Sequence, residues 1–179
     1  MSKAKKTYLA IITLCLLTIG FSFYYILGGF DEVQVYFFRG MERTVIGKEF
    51  VIKNDHKAFT SQMDSVKEDF MNGVLKGKLT ALIYQDEWQE KDSLHCFLGV
   101  SQDSTSGVVR LPAGYEYRKF STDRIYKTFI SQSVWVAPSP ASIEEMMEVK
   151  SIEEGEVLQP ITFEIYYRDG SRSIEKWVK

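Results

Sequence analysis

The run Ile161–Tyr167, ITFEIYY, holds the residues of this chain best suited to grip a charged ligand. Read as a strand, it sends Phe163, Ile165 and Tyr167 to one side and Thr162, Glu164 and Tyr166 to the other. The second side sets a carboxylate beside a phenol on a rigid element. A buried carboxylate ringed by aromatics suits a cationic or polar-aromatic ligand, through charge pairing with stacking or cation–π contact. Most strand glutamates simply face water, so this strand alone leaves both readings open.

Other side chains offer less chemistry. Phe, Trp and Tyr make up 14% of the chain, among them Tyr84, Trp88, Phe97, Tyr115, Tyr117, Trp135 and Trp177. Most of these are expected in the core. His95 and Cys96 are neighbours on an apolar strand and so face opposite sides, which argues against a thiol–imidazole pair. Asp86-Glu87 and Glu144-Glu145 lack metal-like spacing, and with only His56 and His95 zinc chemistry is not expected. No phosphate loop, nucleophile elbow or metal motif is present, so no cofactor, metal or catalytic group is expected.

These residues sit downstream of a very different N-terminus. Lys3, Lys5 and Lys6 precede the uncharged run Tyr8–Leu27, YLAIITLCLLTIGFSFYYIL. Twenty helical residues span roughly 30 Å, the thickness of a bilayer's hydrocarbon core. Phe21, Phe23, Tyr24 and Tyr25 cluster where an interfacial belt lies. A cleaved signal peptide needs a shorter apolar run and small residues before the cut, and Gly20–Gly29 offers no A-x-A pattern. Residues 1–30 are therefore read as cytoplasmic lysines and a single-pass transmembrane signal-anchor, and 31–179 as one domain. Asp31 and Glu32 follow the span, so the positive-inside tendency keeps the N-terminus cytoplasmic and sends the domain to the periplasmic or extracellular side. Without the three leading lysines, 19 basic residues face all 24 acidic ones. That excess of negative charge argues against nucleic acid as a partner. Cys15 in the span and Cys96 in the domain cannot pair.

The domain reads as α+β. Val33–Arg39 and Arg43–Ile52 are expected as two strands joined by a turn at Gly40. Asp55 can cap a helix whose apolar stripe is Phe59, Met63, Val66, Phe70 and Val74, with Gly77 as a stop. Leu79–Tyr84 and Leu94–Val100 follow as strands about the polar loop Gln85–Ser93. Val108–Leu111 and Tyr115–Phe120 are read as strands, then a second helix capped by Thr122 or Asp123 and carrying Ile125, Phe129, Ile130 and Val134. Ser139-Pro140 marks the start of a short extra helix over Ala141–Val149, with Ser151–Glu156 a loop. Ile161–Tyr167 and Ser173–Val178 close the domain as a hairpin about Asp169-Gly170. Two β-β-α-β-like halves suggest a pseudo-duplicated domain with antiparallel strands and two main helices.

In order along the chain, ERTVIG (Glu42–Gly47), ALIYQDEW (Ala81–Trp88), LHCFLGV (Leu94–Val100), LPAG (Leu111–Gly114) and FEIY (Phe163–Tyr166) resemble the GyrI-like small-molecule-binding family. This family also supplies effector-binding domains of bacterial transcription regulators. The resemblance spans about Val33–Val178 and implies two side-by-side β-α-β-β units of SHS2 type with a ligand groove between them. It implies that Glu164 contacts cationic ligands in that groove and that Tyr84 takes the place of the tyrosine of a Tyr-Asp turn. Tyr166, Tyr117 and Trp135 complete the expected ligand-binding set. The implied function is non-catalytic binding of a small cationic or aromatic molecule. A hydrolase of reactive small molecules using the groove glutamate, and a membrane-tethered adaptor for an unknown protein partner, are the alternatives.

Overall fold

The computed structural model describes residues 3–53, 55–85, 93–103, 111–133 and 135–179. A single helix, α1 (Lys3–Ile26), is followed by β1 (Val35–Lys53), α2 (His56–Met71), β2 (Lys78–Tyr84), β3 (Ser93–Asp103), β4 (Glu116–Ile130), α3 (Pro140–Glu153), β5 (Leu158–Tyr166) and β6 (Arg172–Val178). The six strands pair antiparallel throughout and close into a barrel in the order β1-β3-β2-β5-β6-β4. Closure gives every one of these strands a neighbour on both sides over part of its length.

Three apolar clusters follow from strand alternation. Val45, Leu82, Phe97, Ile125, Phe163 and Trp177 come from all six strands and fill the barrel. On the outer face, Ile46, Leu79, Ala81, Cys96 and Leu98 pack under α2 through Met63 and Val66. Tyr126, Ile130 and Ile174 pack under α3 through Ile143 and Met147. Both helices start on side-chain caps: Asp55 accepts the Ala58 N–H at 2.7 Å, and Ser139 accepts the Ser142 N–H at 3.1 Å with proline next in line. Each cap satisfies a backbone donor that the first turn leaves orphaned.

The second half differs from expectation. Ser121–Ile130 is not a helix but the continuation of β4, and the expected extra helix after Ser139-Pro140 is the second main helix, running on to Glu153. Ile125, Phe129 and Ile130 have helical spacing, yet the segment is rich in β-branched and aromatic residues. It pairs with β1 on one side and β6 on the other, and that long-range pairing overrides a local pattern. Likewise Gly40 makes no turn. It lies within the 19-residue strand β1, where a Cβ would meet the Thr122 carbonyl oxygen at 2.9 Å. Glycine there lets β1 and β4 stay paired across the point where the register runs from Arg39↔Arg124 to Met41↔Thr122. In the first half, α2 ends at Met71 before Gly73, which has φ +76°, and Val74 is exposed instead of extending the stripe. The closing hairpin is as expected, with Gly170 at φ +85°. Asp86–Trp88, Val134 and nearly all of the expected strand Val108–Leu111 fall outside the described residues.

α1 is one helix long and apolar enough to cross a membrane, and none of its apolar face is buried against the domain.

Candidate functional site

Glu164 lies on β5 opposite Ala81 of β2, on one of the two seams (β2–β5 and β1–β4) where the strands of the first half meet those of the second. Its side of the strand is the outer, helix-covered face. Thr162 donates to Glu144 of α3 at 2.9 Å, and Tyr166 packs into the cluster beneath α2. Glu164 is only 4% exposed. Its carboxylate accepts the Tyr166 hydroxyl at 2.5 Å, and among the described residues the nearest cation, Arg172 of β6, stands 4.0 Å away as a long ion pair. Burial, and then the adjacent Glu164 charge, push the Tyr166 phenol far above the ordinary tyrosine range, so it remains a donor.

Beside this pair opens a cleft of about 910 Å³ between the C-terminal half of α2, the start of β2 and the β5–β6 hairpin. Met63, Phe70, Met71, Leu79 and Tyr166 form apolar walls, and Asp64, Lys67, Lys78 and Arg168 stand at polar positions. The Arg168 guanidinium lies 6.0 Å from the centre of the Phe70 ring. Tyr166 reaches both the cleft and the buried carboxylate; Glu164 itself stands behind the phenol.

The other expected ligand-binding residues are not brought to this corner. Tyr84 packs against the barrel-interior cluster, on the opposite face of the sheet from Glu164. There its hydroxyl accepts from Arg118 at 2.9 Å, and its ring stacks on His95 at 4.5 Å. Arg118 also grips Glu49 through both nitrogens, at 3.1 and 2.8 Å, and His95 Nε2 meets Glu49 at 2.7 Å. Arg118 first, and His95 second, hold the Glu49 carboxyl down at about 2. Tyr117 is 60% exposed on β4 and Trp135 is 85% exposed beyond the end of that strand. The alternation that fixes Glu164 beside Tyr166 is local. The face of Tyr84 and the siting of Tyr117 and Trp135 depend on where β2 and β4 pair. Cys96 is buried under α2, and burial raises its thiol to about 11, which suits a core residue.

Sequence reasoning missed a second acid in the barrel. Glu175 of β6 is 1% exposed, ion-paired to Arg43 of β1 and to Lys127 of β4 at 2.8 Å. Burial raises its pKa, but the Arg43 and Lys127 charges outweigh that and leave the carboxyl below its ordinary value. The Arg43 guanidinium lies 5.7 Å from both the Phe163 and Trp177 ring centres, and those rings stack at 4.5 Å. Phe120 meets both edge-on. The aromatic box in the barrel is thus filled by the protein's own guanidinium. The signal was the alternation of SIEKWV, which puts Glu175 and Trp177 on one face, but nothing local identifies Arg43 as their partner.

No family model and no curated protein sequence matches the chain. Among solved structures, the EcmrR–DNA complex matches with a TM-score of 0.55 and 11% identity, over 98% of this chain and 69% of that one. That overlap takes in α1 as well as the domain. The EcmrR C-terminal domain matches with a TM-score of 0.51 and 11% identity, over 83% of this chain and 97% of that one. A looser likeness, at a TM-score of 0.44 and 15% identity, is to SAV2435 bound to tetraphenylphosphonium, over 83% and 94%. The first two support a GyrI-like α+β fold with an antiparallel sheet, and show the fold alone. Because one of these neighbours is solved with DNA, the fold does not carry the expectation that nucleic acid is excluded; that expectation rests on charge only.

Proposed function

We propose that this chain is a membrane-anchored, GyrI-like domain that binds a small cationic or aromatic molecule at the Glu164–Tyr166 corner of the cleft beside α2. One observation carries the reading. A carboxylate 4% exposed has a phenol as its hydrogen-bond partner and its nearest cation 4.0 Å off, and the same phenol lines a cleft of about 910 Å³. Burying a charge is costly without close pairing, and a cation arriving through the cleft supplies a closer partner than Arg172, which sits at the 4.0 Å limit of an ion pair. In this reading the ligand's charge draws the Tyr166 hydroxyl aside and its apolar body rests on Phe70, Met63 and Leu79. The two runs β1-α2-β2-β3 and β4-α3-β5-β6 are then the halves of a pseudo-duplicated domain, with Glu164 at one of their two seams. α1 holds the domain at a bilayer, with Lys3, Lys5 and Lys6 cytoplasmic and the domain on the other side.

The test is calorimetry on full-length protein in detergent, with benzyltrimethylammonium and its uncharged isostere neopentylbenzene. The cation is expected to bind more tightly. Glu164→Gln is expected to weaken it by about 5–150-fold, corresponding to roughly 1–3 kcal/mol, while affecting the neutral compound less. Equal affinity of wild type and Glu164→Gln for the cation sinks the assignment.

A further inference from the structure

A second cleft lies where α1 joins the barrel. The Leu27 carbonyl accepts the Ser133 N–H at 3.2 Å, and the Gln132 side-chain N–H donates to the Asp31 carbonyl at 3.0 Å. The foot of α1 is thereby tied to the end of β4. Phe30 folds back along the helix, its ring centre 5.1 Å from that of Phe21 and 4.9 Å from that of Tyr24. Next to this joint a cleft of about 480 Å³ is lined by Asp31, Glu32, Tyr36, Phe38, Phe129 and Gln132. Tyr36, Phe38 and Phe129 are 47%, 39% and 48% exposed, an unusual density of open rings. Among the described residues, the Asp31 and Glu32 carboxylates have no ion-pair or hydrogen-bond partner, and the Gln132 side-chain oxygen is buried without one.

We propose that this cleft is a lipid-headgroup site that takes the primary ammonium of phosphatidylethanolamine from the leaflet facing the domain. The inference rests on the reading of α1 as a membrane anchor. The chain leaves the apolar helix at Ile26, and the cleft begins five residues later at Asp31, tied to the same joint by hydrogen bonds. It therefore faces the headgroup layer and not bulk water. Tyrosine and phenylalanine side chains favour that depth. Two unpaired carboxylates held there repel anionic headgroups and attract the one cation abundant at a zwitterionic surface, the headgroup ammonium. Ring faces add a cation–π contribution. A primary ammonium also brings N–H donors for carboxylate and amide oxygens, which the methyls of choline lack.

The experiment uses full-length protein in mild detergent with equal amounts of phosphatidylethanolamine, phosphatidylcholine and phosphatidylglycerol, and native mass spectrometry of retained lipid. Wild type is expected to keep phosphatidylethanolamine over phosphatidylglycerol by about fivefold or more. In the Asp31→Asn, Glu32→Gln double variant that ratio is expected to fall towards one. Both residues are exposed, so the fold survives the change. In parallel, a fluorophore on Cys15, exposed on α1 while Cys96 is buried, is read in nanodiscs containing acyl-chain nitroxide lipid. If Cys15 is quenched but the lipid ratio is flat, or survives the double variant, the headgroup site is overturned and the anchor stands. If Cys15 is not quenched, the anchor fails and the headgroup site with it.

Discussion

Glu164 and Glu175 sit on adjacent strands of one barrel, buried to 4% and 1% exposure, yet they have been given opposite surroundings. Glu175 points into the barrel, where Arg43 and Lys127 both pair with it and the Trp177 N–H lies within 3.4 Å. Glu164 points outward beneath the helices, where one phenol binds it and Arg172 stays 4.0 Å away. Burial alone does not mark a site. A carboxylate whose lone pairs are met by two cations is part of the scaffold, whereas one with a neutral donor and a single cation at 4.0 Å, beside an open cleft, still has capacity for a closer partner.

The sharpest way to break this contrast is to remove Arg43. Arg43→Met strands Glu175 in the barrel with Lys127 alone and is expected to cost about 3–5 kcal/mol in chemical denaturation, whereas Glu164→Gln shifts stability by less than about 1 kcal/mol. If the two variants unfold alike, the two acids are not different in kind. Acid titration sharpens the same point. Glu175 has a folded pKa below its ordinary value of 4.5, so its contribution to stability is complete above that value and is lost as pH falls through the lower folded pKa. Urea midpoints measured from pH 6 to pH 3 should therefore drop in the wild type below about pH 4.5, and drop less steeply in Glu175→Gln. Arg172→Gln acts on the other acid: by removing the cation that stands 4.0 Å from Glu164 it is expected to raise benzyltrimethylammonium affinity by up to about tenfold in calorimetry, with no gain in Glu164→Gln/Arg172→Gln. The smallest effect is at Trp135, 85% exposed and outside both environments, where Trp135→Ala should change the denaturation midpoint by an amount equivalent to no more than about 0.5 kcal/mol.

Much of the local structure could be read along the chain. The Asp55 cap, the Phe59–Phe70 stripe, strands β2 and β3 and the Asp169-Gly170 hairpin are decided within a few residues, by capping, periodicity and turn chemistry. The second half was misread at Thr122–Ile130, because an apolar spacing of four is compatible with a helix and only pairing with β1 and β6 makes it a strand. The candidate site divided the same way: Glu164 and Tyr166 share a face as their spacing of two demands, while Tyr84 lies on the other side of the sheet.

The apolar N-terminal helix, the α+β class and the pairing of a carboxylate with a phenol two residues on are all legible along the chain, since each depends on composition or on a repeat of two or about 3.6 residues. Which acid is neutralised depends instead on long-range strand pairing. Arg43 and Glu175 are 132 residues apart, and no local rule connects them. They meet because the barrel closes β1 onto β4 and β4 onto β6, so that one guanidinium falls between Glu175 and the stacked Phe163 and Trp177 rings. The same closure turns Glu164 to the outer face, under α2 and α3, where among the described residues no cation comes nearer than Arg172.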